Sequence, residues 1–288
     1  MDLPFELLNV FSVANDPFSG NPLCVFPDAA GLSDAEMQAW ARQFNLSETT
    51  FVTSRAGADA DVRIFTPDHE MPFAGHPTLG TAEVVATLDG AASHGAAALV
   101  HLELPAGRIP VVRTDGGWQL TAPTASLREV TASKAELAGA LGIDGGALVR
   151  ADAAWVDAGV EQLVVRLDHA EAVRACDPHA HAMAEHMTSP GRPPHVYVWA
   201  WTGPKTIEAR LFYTSGQAVL EDPATGSACA NLGGWMVAQG ARDVSVEISQ
   251  GTAVGRPSRL QLEIDADGGV HVGGRVERVG RGSCTRGA

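Results

Sequence analysis

The sequence is poor in lysine, cysteine and tyrosine, and it has no long apolar run. Its four cysteines stand far apart without a CxxC pair, which excludes a disulfide-rich scaffold and a zinc ribbon. Lys134 and Lys205 are the only lysines, so a Schiff-base mechanism has two candidates. Apolar stretches are broken by Gly, Asp and Arg, which excludes a membrane-spanning helix. The first residues lack a basic segment, so no secretory signal and a cytoplasmic location with reduced thiols are predicted.

Positive charge is also scarce, because 20 basic residues face 34 acidic ones and the formal net charge is −14. Nucleic acids and anionic membranes are therefore not expected as partners. The sequence contains no GxGxxG, GxxxxGK[ST], GxSxG or HExxH motif, which leaves nucleotide-binding, hydrolase and zinc-protease functions without support. His179, His181 and His186 lie near Cys176, but no matching ligand set stands elsewhere, and we predict no metal site.

The length of 288 residues predicts two domains. We place them at residues 1–120 and 121–274, and the last strand, near 275–288, could return to the first domain. A weak internal duplication supports this division, since Arg63-Ile64-Phe65 precedes one small-residue loop and Arg210-Leu211-Phe212 precedes another. We expect two similar domains, each with a sheet around one central helix.

Local patterns predict several elements of the first domain. Short apolar runs predict strands at Leu7–Val13, Leu23–Phe26 and Leu46–Thr53. Ser33 with Glu36 three residues later forms a capping box, which predicts the start of a helix.

Two loops of small residues each lead into an apolar segment of helical length, Leu79–Leu88 in the first half and Ala228–Gln239 in the second. A helix start presents unpaired N–H groups and a partial positive charge, which attract an anion. The two helix starts could therefore bind one small carboxylate, although tight turns before buried helices give the same pattern.

Five sequence blocks occur in a fixed order along nearly the whole chain: Gly20-Asn21-Pro22, Leu46-Ser47-Glu48-Thr49-Thr50-Phe51-Val52, Phe73-Ala74-Gly75-His76-Pro77-Thr78, Glu221-Asp222-Pro223-Ala224-Thr225-Gly226-Ser227-Ala228, and Gln250-Gly251 with Gly255-Arg256-Pro257-Ser258. These blocks resemble the signature of the phenazine-biosynthesis PhzF-like family. The resemblance implies an α+β, diaminopimelate-epimerase-like fold: two pseudo-symmetric domains, each a mostly antiparallel curled sheet around a central helix, with the active site between them. It also implies a homodimer without metal or cofactor, and the family's best understood reaction isomerises dihydro-3-hydroxyanthranilate by proton transfer.

Glu48 is the main catalytic candidate. It lies in a strand-like run without a neighbouring cation. Because side chains alternate along a strand, Glu48 would lie on the same face as Leu46 and Val52. On an apolar face, desolvation would raise the pKa of its carboxyl and let it take and return a proton near neutral pH. A solvated strand face is the alternative, and the resemblance places the family's proton-shuttling glutamate on Glu48.

The resemblance also assigns His76 and Asp222 to the active site. His76 follows Gly75 at a helix start, whose positive end disfavours imidazolium, so we expect a neutral ring that hydrogen-bonds substrate or relays a proton. Asp222 precedes Pro223, where an aspartate often only caps the helix. The family match instead implies that Asp222 holds His76 or a substrate amine.

Five further residues are predicted to bind substrate: Asn21, Ser47, Gly75, Gly226 and Ser227. Gly75 allows close approach of the ligand, and Gly226 and Ser227 would offer N–H groups and a hydroxyl to a carboxylate. Asn21 could be only a turn former. A nucleophilic pair of Ser47 or Ser227 with His76 has no support in the spacing.

Racemases and epimerases of this fold use two cysteines, one on each loop. Here the corresponding loops offer Ala74 in the first and Pro223 and Ala224 in the second, none of which carries a proton. A single base on one face suits a proton shift within a conjugated system, so we predict a cofactor-independent isomerase of a small, cyclic unsaturated carboxylate. The alternatives are an amino-acid epimerase or racemase with unusual bases and a catalytically silent metabolite-binding protein.

Overall fold

The computed structural model describes residues 2–56, 59–88 and 98–285. Its strands are β1 Asp2–Val10, β2 Asn21–Phe26, β3 Glu48–Ala56, β4 Asp59–Phe65, β5 Glu70–Met71, β6 Leu99–Leu104, β7 Gly107–Thr114, β8 Gly117–Thr121, β9 Ser126–Arg128, β10 Leu148–Asp157, β11 Glu161–Leu167, β12 His195–Gly203, β13 Thr206–Ser215, β14 Ala218–Asp222, β15 Val244–Gln250, β16 Ser258–Ile264, β17 Val270–Gly274 and β18 Val276–Thr285. Its helices are α1 Asp34–Phe44, α2 Gly75–Leu88, α3 Lys134–Leu141, α4 Ala170–Ala175, α5 Ala180–His186 and α6 Gly226–Ala238. This composition confirms the predicted α+β class.

The chain divides into two compact units, Met1–Thr121 with Gly273–Ala288 and Ala122–Val272. In the first unit β1 pairs antiparallel with both β2 and β18, β2 pairs parallel with β3, and β4 pairs with β3, β5 and β6. Helix α2 packs against β1, β2, β3, β6 and β8 of this sheet. The largely apolar character of α2 is explained by this position, since ten of its residues, from His76 to Ala86, are buried.

The second unit repeats the same order of pairings. β10 pairs antiparallel with β9 and β11, β11 pairs parallel with β12, and β13 pairs with β12, β14 and β15. Helix α6 packs against β10, β11 and β16 and is buried along its length. The register of the pairings makes β1–β6 of the first unit equivalent to β10–β15 of the second.

The duplicated arginines confirm this equivalence at the level of side chains. Arg63 pairs with both carboxylate oxygens of Glu70, through Nε at 2.7 Å and Nη2 at 2.6 Å. Arg210 pairs in the same way with Glu221, where Nη2 lies 2.7 Å from Oε2. Each guanidinium also covers a phenylalanine ring two residues further along the strand. These clamps hold the strand that precedes each small-residue loop.

The predicted helix after Ser33 is confirmed with its capping box. The first strand was predicted at Leu7–Val13 but spans Asp2–Val10. It ends early because Phe11 has a φ of 62°, a left-handed backbone that cannot continue a strand, even though the apolar sequence runs on.

Strand β3 is covered on both sides, because Thr49 through Val52 are all buried. Phe51 packs in the apolar cluster beside α1, whereas the Oγ1 of Thr50 lies 2.8 Å from Oγ1 of Thr81 on α2. The parity argument for Glu48 therefore does not separate a buried face from a solvated one. It does place Glu48 on the same face as Thr50, the one towards α2.

Among the described residues, no helix combines the length and the apolar character needed to cross a membrane.

Candidate active site

Glu48 and His76 meet in the first unit. Glu48 is the first residue of β3, and His76 is the second residue of α2. Oε2 of Glu48 lies 3.4 Å from Nε2 of His76, and their side chains are 15% and 6% exposed. A carboxyl and an imidazole thus lie next to each other in a largely desolvated place.

His76 is neutral in this environment. Burial lowers the pKa of His76 to about 3, against the opposing effect of a hydrogen bond with the backbone of Pro22. The neutral state is the one predicted, but its main cause is desolvation rather than the helix start. A neutral imidazole has one N–H donor and one acceptor nitrogen, and because its N–H donates to the Pro22 carbonyl, the nitrogen that faces Glu48 is the acceptor.

The predicted residues Asn21, Ser47 and Gly75 belong to the same unit. Asn21 is fully buried as the first residue of β2, while Ser47 is exposed immediately before β3. The glycine before Asn21 is required by the chain path, because Gly20 has a φ of 79° and an added Cβ would lie 2.6 Å from the carbonyl oxygen of Val10. Gly75 is the first residue of α2.

Asp222 lies in the second unit, as the last residue of β14. It does not cap α6, whose cap is Thr225. Instead, the Thr225 hydroxyl donates to Oδ2 of Asp222. The side chain of Gln250 ties the loop together, since its Nε2 donates to the Asp222 carbonyl at 2.9 Å and to Oγ1 of Thr225 at 3.1 Å.

Gly226 and Ser227 are the first two residues of α6. The Ser227 hydroxyl is half-buried and accepts a hydrogen bond of 3.0 Å from Nε2 of Gln162 on β11. Sequence reasoning assigned no role to Gln162, and it named Gln250 only within a family block. They are 65 and 28 residues from their loop partners Ser227 and Asp222. No local pattern predicts hydrogen bonds over such a separation.

Cysteine acid–base chemistry has no support in the thiols. Cys24 and Cys229 are buried, and burial raises the pKa of both thiols, so the reactive thiolate is disfavoured. Neither residue belongs to a small-residue loop.

His186, the last residue of α5, faces two carboxylates. Nδ1 of His186 lies 4.0 Å from Glu136, and its Nε2 lies 3.8 Å from Glu185. Within the part of the chain that the structure describes, no group of three or more metal-ligating side chains is placed to hold an ion.

Known proteins resemble this chain over nearly its whole length. The family model for phenazine biosynthesis-like proteins matches residues 9–284. An uncharacterised isomerase of Pasteurella multocida is 36% identical, over 96% of this chain and 92% of the relative. A trans-2,3-dihydro-3-hydroxyanthranilate isomerase of Pseudomonas aeruginosa is 34% identical, over 88% of each chain.

Solved structures share the fold. A Pseudomonas aeruginosa protein assigned as an epimerase superposes with a TM-score of 0.79 at 28% identity, over 99% of this chain and 100% of the other. A protein of Agrobacterium radiobacter assigned as a proline racemase superposes with a TM-score of 0.61 at 15% identity, over 98% and 93%. The second similarity concerns the fold alone, and together the two confirm the predicted epimerase-like architecture.

Proposed function

This chain belongs to the phenazine biosynthesis-like family and is an isomerase, and from that premise we propose that it moves a proton within a small, cyclic unsaturated carboxylate, with Glu48 as the single acid and base. The observation that carries the proposal is the desolvated contact between Glu48 and a neutral His76. The names of the relatives suggest trans-2,3-dihydro-3-hydroxyanthranilate as the first substrate to test.

The proposed step conserves atoms and electrons without a co-reactant. The Glu48 carboxylate removes a proton from one carbon, and the electron pair of that C–H bond enters the conjugated system. The carboxylic acid then returns the proton to another carbon of the same system, where a new C–H bond forms and the carboxylate is regenerated. One base on one face of the substrate is sufficient for this shift.

His76 supports the protonated form of Glu48 in this proposal. Its N–H donates to the carbonyl of Pro22 and holds the ring in place, and its acceptor nitrogen, Nε2, faces the Glu48 carboxyl and can accept the proton of the acid form. Because the ring stays neutral, it does not hold Glu48 permanently ionised as an imidazolium would.

The first turns of α2 and α6 are proposed to stabilise negative charge on the substrate, through the N–H groups of Gly75, Gly226 and Ser227. Asp222 is proposed to hold a polar group of the substrate such as an amine. The hydrogen bond from Thr225 supports this role, because it fixes the direction of the Asp222 carboxylate.

The decisive variant is Glu48→Gln, which keeps the shape of the side chain but cannot take a proton. With trans-2,3-dihydro-3-hydroxyanthranilate in deuterated water, the unaltered protein should convert the substrate and place deuterium on the new C–H carbon in the NMR spectrum. The variant should lose turnover by at least about a thousandfold, in line with the contribution of a general acid and base.

Glu83→Gln is the matched control, because Glu83 lies on α2 and accepts a 2.8 Å hydrogen bond from the Trp118 indole that a glutamine carbonyl can still accept. It should retain turnover. Full turnover by the Glu48→Gln protein would refute the proposal. Inversion of configuration in a panel of amino acids would favour the epimerase or racemase instead.

The homodimer and the metal-free, cofactor-free site implied by the resemblance, and the cytoplasmic location predicted from the sequence, are also proposals. We expect a homodimer, which light scattering after gel filtration would detect, and turnover that survives dialysis against a chelator. A reducing, cytoplasmic location is supported by the four free thiols.

A further inference from the structure

A chain of buried side-chain amides ends at the Ser227 hydroxyl. Asn231 on α6 is fully buried, and Gln162 on β11 is 2% exposed. Nδ2 of Asn231 lies 2.9 Å from Oε1 of Gln162, whose Nε2 lies 3.0 Å from Oγ of Ser227. Burying a side-chain amide costs free energy unless its N–H and C=O groups form hydrogen bonds. The hydrogen bonds between these residues therefore fix the positions of both amides.

The direction of every hydrogen bond in the chain follows from the backbone. The N–H of Ala158 donates to Oδ1 of Asn231 at 2.8 Å, and Nδ2 of Asn231 donates to the carbonyl of Val160 at 2.9 Å. A backbone N–H can only donate and a carbonyl can only accept, so the orientation of the Asn231 amide is fixed. Nδ2 then donates to Gln162, which orients the second amide in turn.

Gln162 therefore presents a donor to Ser227. A hydroxyl has one hydrogen and two lone pairs, and here one lone pair is taken by the N–H of Gln162. The hydrogen of Ser227 cannot point towards Gln162, because two donors would face each other. It is directed away, as a donor at the first turn of α6.

The first unit shows that the fold does not require these hydrogen-bonded amides. By strand register and loop alignment, Gln162 corresponds to Leu23 and Asn231 to Gly80. An added Cβ on Gly80 would lie 2.4 Å from Cδ2 of Leu23, so an apolar side chain fills the place of the amide pair. In the first unit, where His76 takes the place of Ser227 at the helix start, apolar packing therefore replaces the amide hydrogen bonds.

We propose that Gln162 and Asn231 are positioning residues that hold the Ser227 hydroxyl as a hydrogen-bond donor to the carboxylate of the substrate. This inference rests on the proposed function, because it takes Ser227 to contact that carboxylate. The amides act through Ser227 and touch no substrate themselves.

The test is a double-mutant cycle between Gln162→Met and Ser227→Ala, with anthranilate as the charged probe and anthranilamide as its neutral counterpart. Methionine keeps the length of glutamine and removes its donor. We expect Gln162→Met to weaken anthranilate binding about tenfold and Ser227→Ala about thirtyfold, as for hydrogen bonds to a charged group. In the Ser227→Ala background, Gln162→Met should add less than twofold. Anthranilamide should respond several-fold less than anthranilate.

Gln38→Met controls for the loss of a hydrogen-bonded side-chain amide, because Gln38 is half-buried and donates to the carbonyls of Thr66 and Pro67 in the first unit. It should leave the affinity unchanged. Equal losses from Gln162→Met in both backgrounds, or the same loss for both probes, would overturn the inference and indicate a structural role.

A measurement without ligand separates this inference from the proposed function. If the unaltered protein binds no carboxylate, the proposed substrate class fails. The side-chain amide signals of Gln162 and Asn231 in NMR then decide the inference. Shifts of both signals in Ser227→Ala would support the directed chain, and unchanged signals would overturn it.

Discussion

Acidification should destabilise this protein through His76. Burial lowers the pKa of His76 to about 3, whereas the unfolded chain has the ordinary value of 6.5. Between these values the unfolded state binds a proton that the folded state does not, so stability falls as the pH falls from 6.5 towards 3. The full difference, at 1.36 kcal/mol for each pH unit, is about 5 kcal/mol, and about 3 kcal/mol of it is lost by pH 4.

The measurement is urea unfolding of the unaltered protein and of His76→Asn at pH 7, 6, 5 and 4. Asparagine keeps a polar side chain but does not titrate. The free energy of unfolding should therefore decline more steeply with acid in the unaltered protein, and the two curves should approach each other by about 3 kcal/mol between pH 7 and pH 4. Comparison within the pair cancels the contributions of the other titrating groups.

A loss of stability as the pH rises, rather than as it falls, would also identify the charge state of His76. If the 3.4 Å contact with Glu48 were an ion pair, the pKa of His76 would lie above 6.5, and stability would be lost as the pH rises through that value. Parallel curves for the two proteins would instead show that His76 has its ordinary pKa in the folded state. The first result would refute the neutral imidazole on which the proposed partnership with Glu48 depends, and the second would refute the lowered pKa that burial is inferred to cause.

Three further predictions concern packing, ion pairing and thiol access. Gly80→Ala should lower the free energy of unfolding by about 1 to 3 kcal/mol in urea titrations, because its Cβ would overlap Leu23, and a neutral effect would mean that Leu23 moves without cost. Arg210→Met should lower the free energy of unfolding by about 3 kcal/mol or more, since it leaves Glu221, whose side chain is 7% exposed, without its cation. The check is whether Glu221→Gln restores stability in the double variant. Cys284 should react first with a thiol reagent, and the other three cysteines should react only on unfolding, because they are buried; simultaneous reaction of all four would contradict the described core.

The elements that could be predicted are those encoded locally. The capping box at Ser33 needs four residues to specify a helix start, and it is confirmed. The family resemblance is confirmed as well, because the family model matches residues 9–284. The end of β1 was predicted wrongly, since hydrophobicity continues through Phe11 while the backbone turns.

The parts of the site that could not be predicted depend on tertiary contacts. Whether Glu48 is sheltered depends on helix α2 lying over β3, which no count of apolar neighbours reveals. The neutral state of His76 was predicted from the helix start, yet burial supplies most of the effect. Gln162 carries no local signal at all, because an isolated glutamine in a strand becomes informative only when Ser227 is found beside it.

The two units share one order of strand pairings but carry different side chains at corresponding positions. Pairing registers place Met71 where the second unit has Asp222, and the equal loop lengths place His76 where it has Ser227. The structural clamps and sheet order are the same in both units, so the differences at these positions are not imposed by folding. The acid–base role proposed for Glu48 and His76 thus belongs to residues of the first unit, and the hydroxyl and carboxylate proposed to hold the substrate belong to residues of the second. The double variant Met71→Asp, His76→Ser, which places the second loop's Asp and Ser in the first unit, should therefore fold but turn over more slowly, because Glu48 stays in place without its neutral imidazole partner.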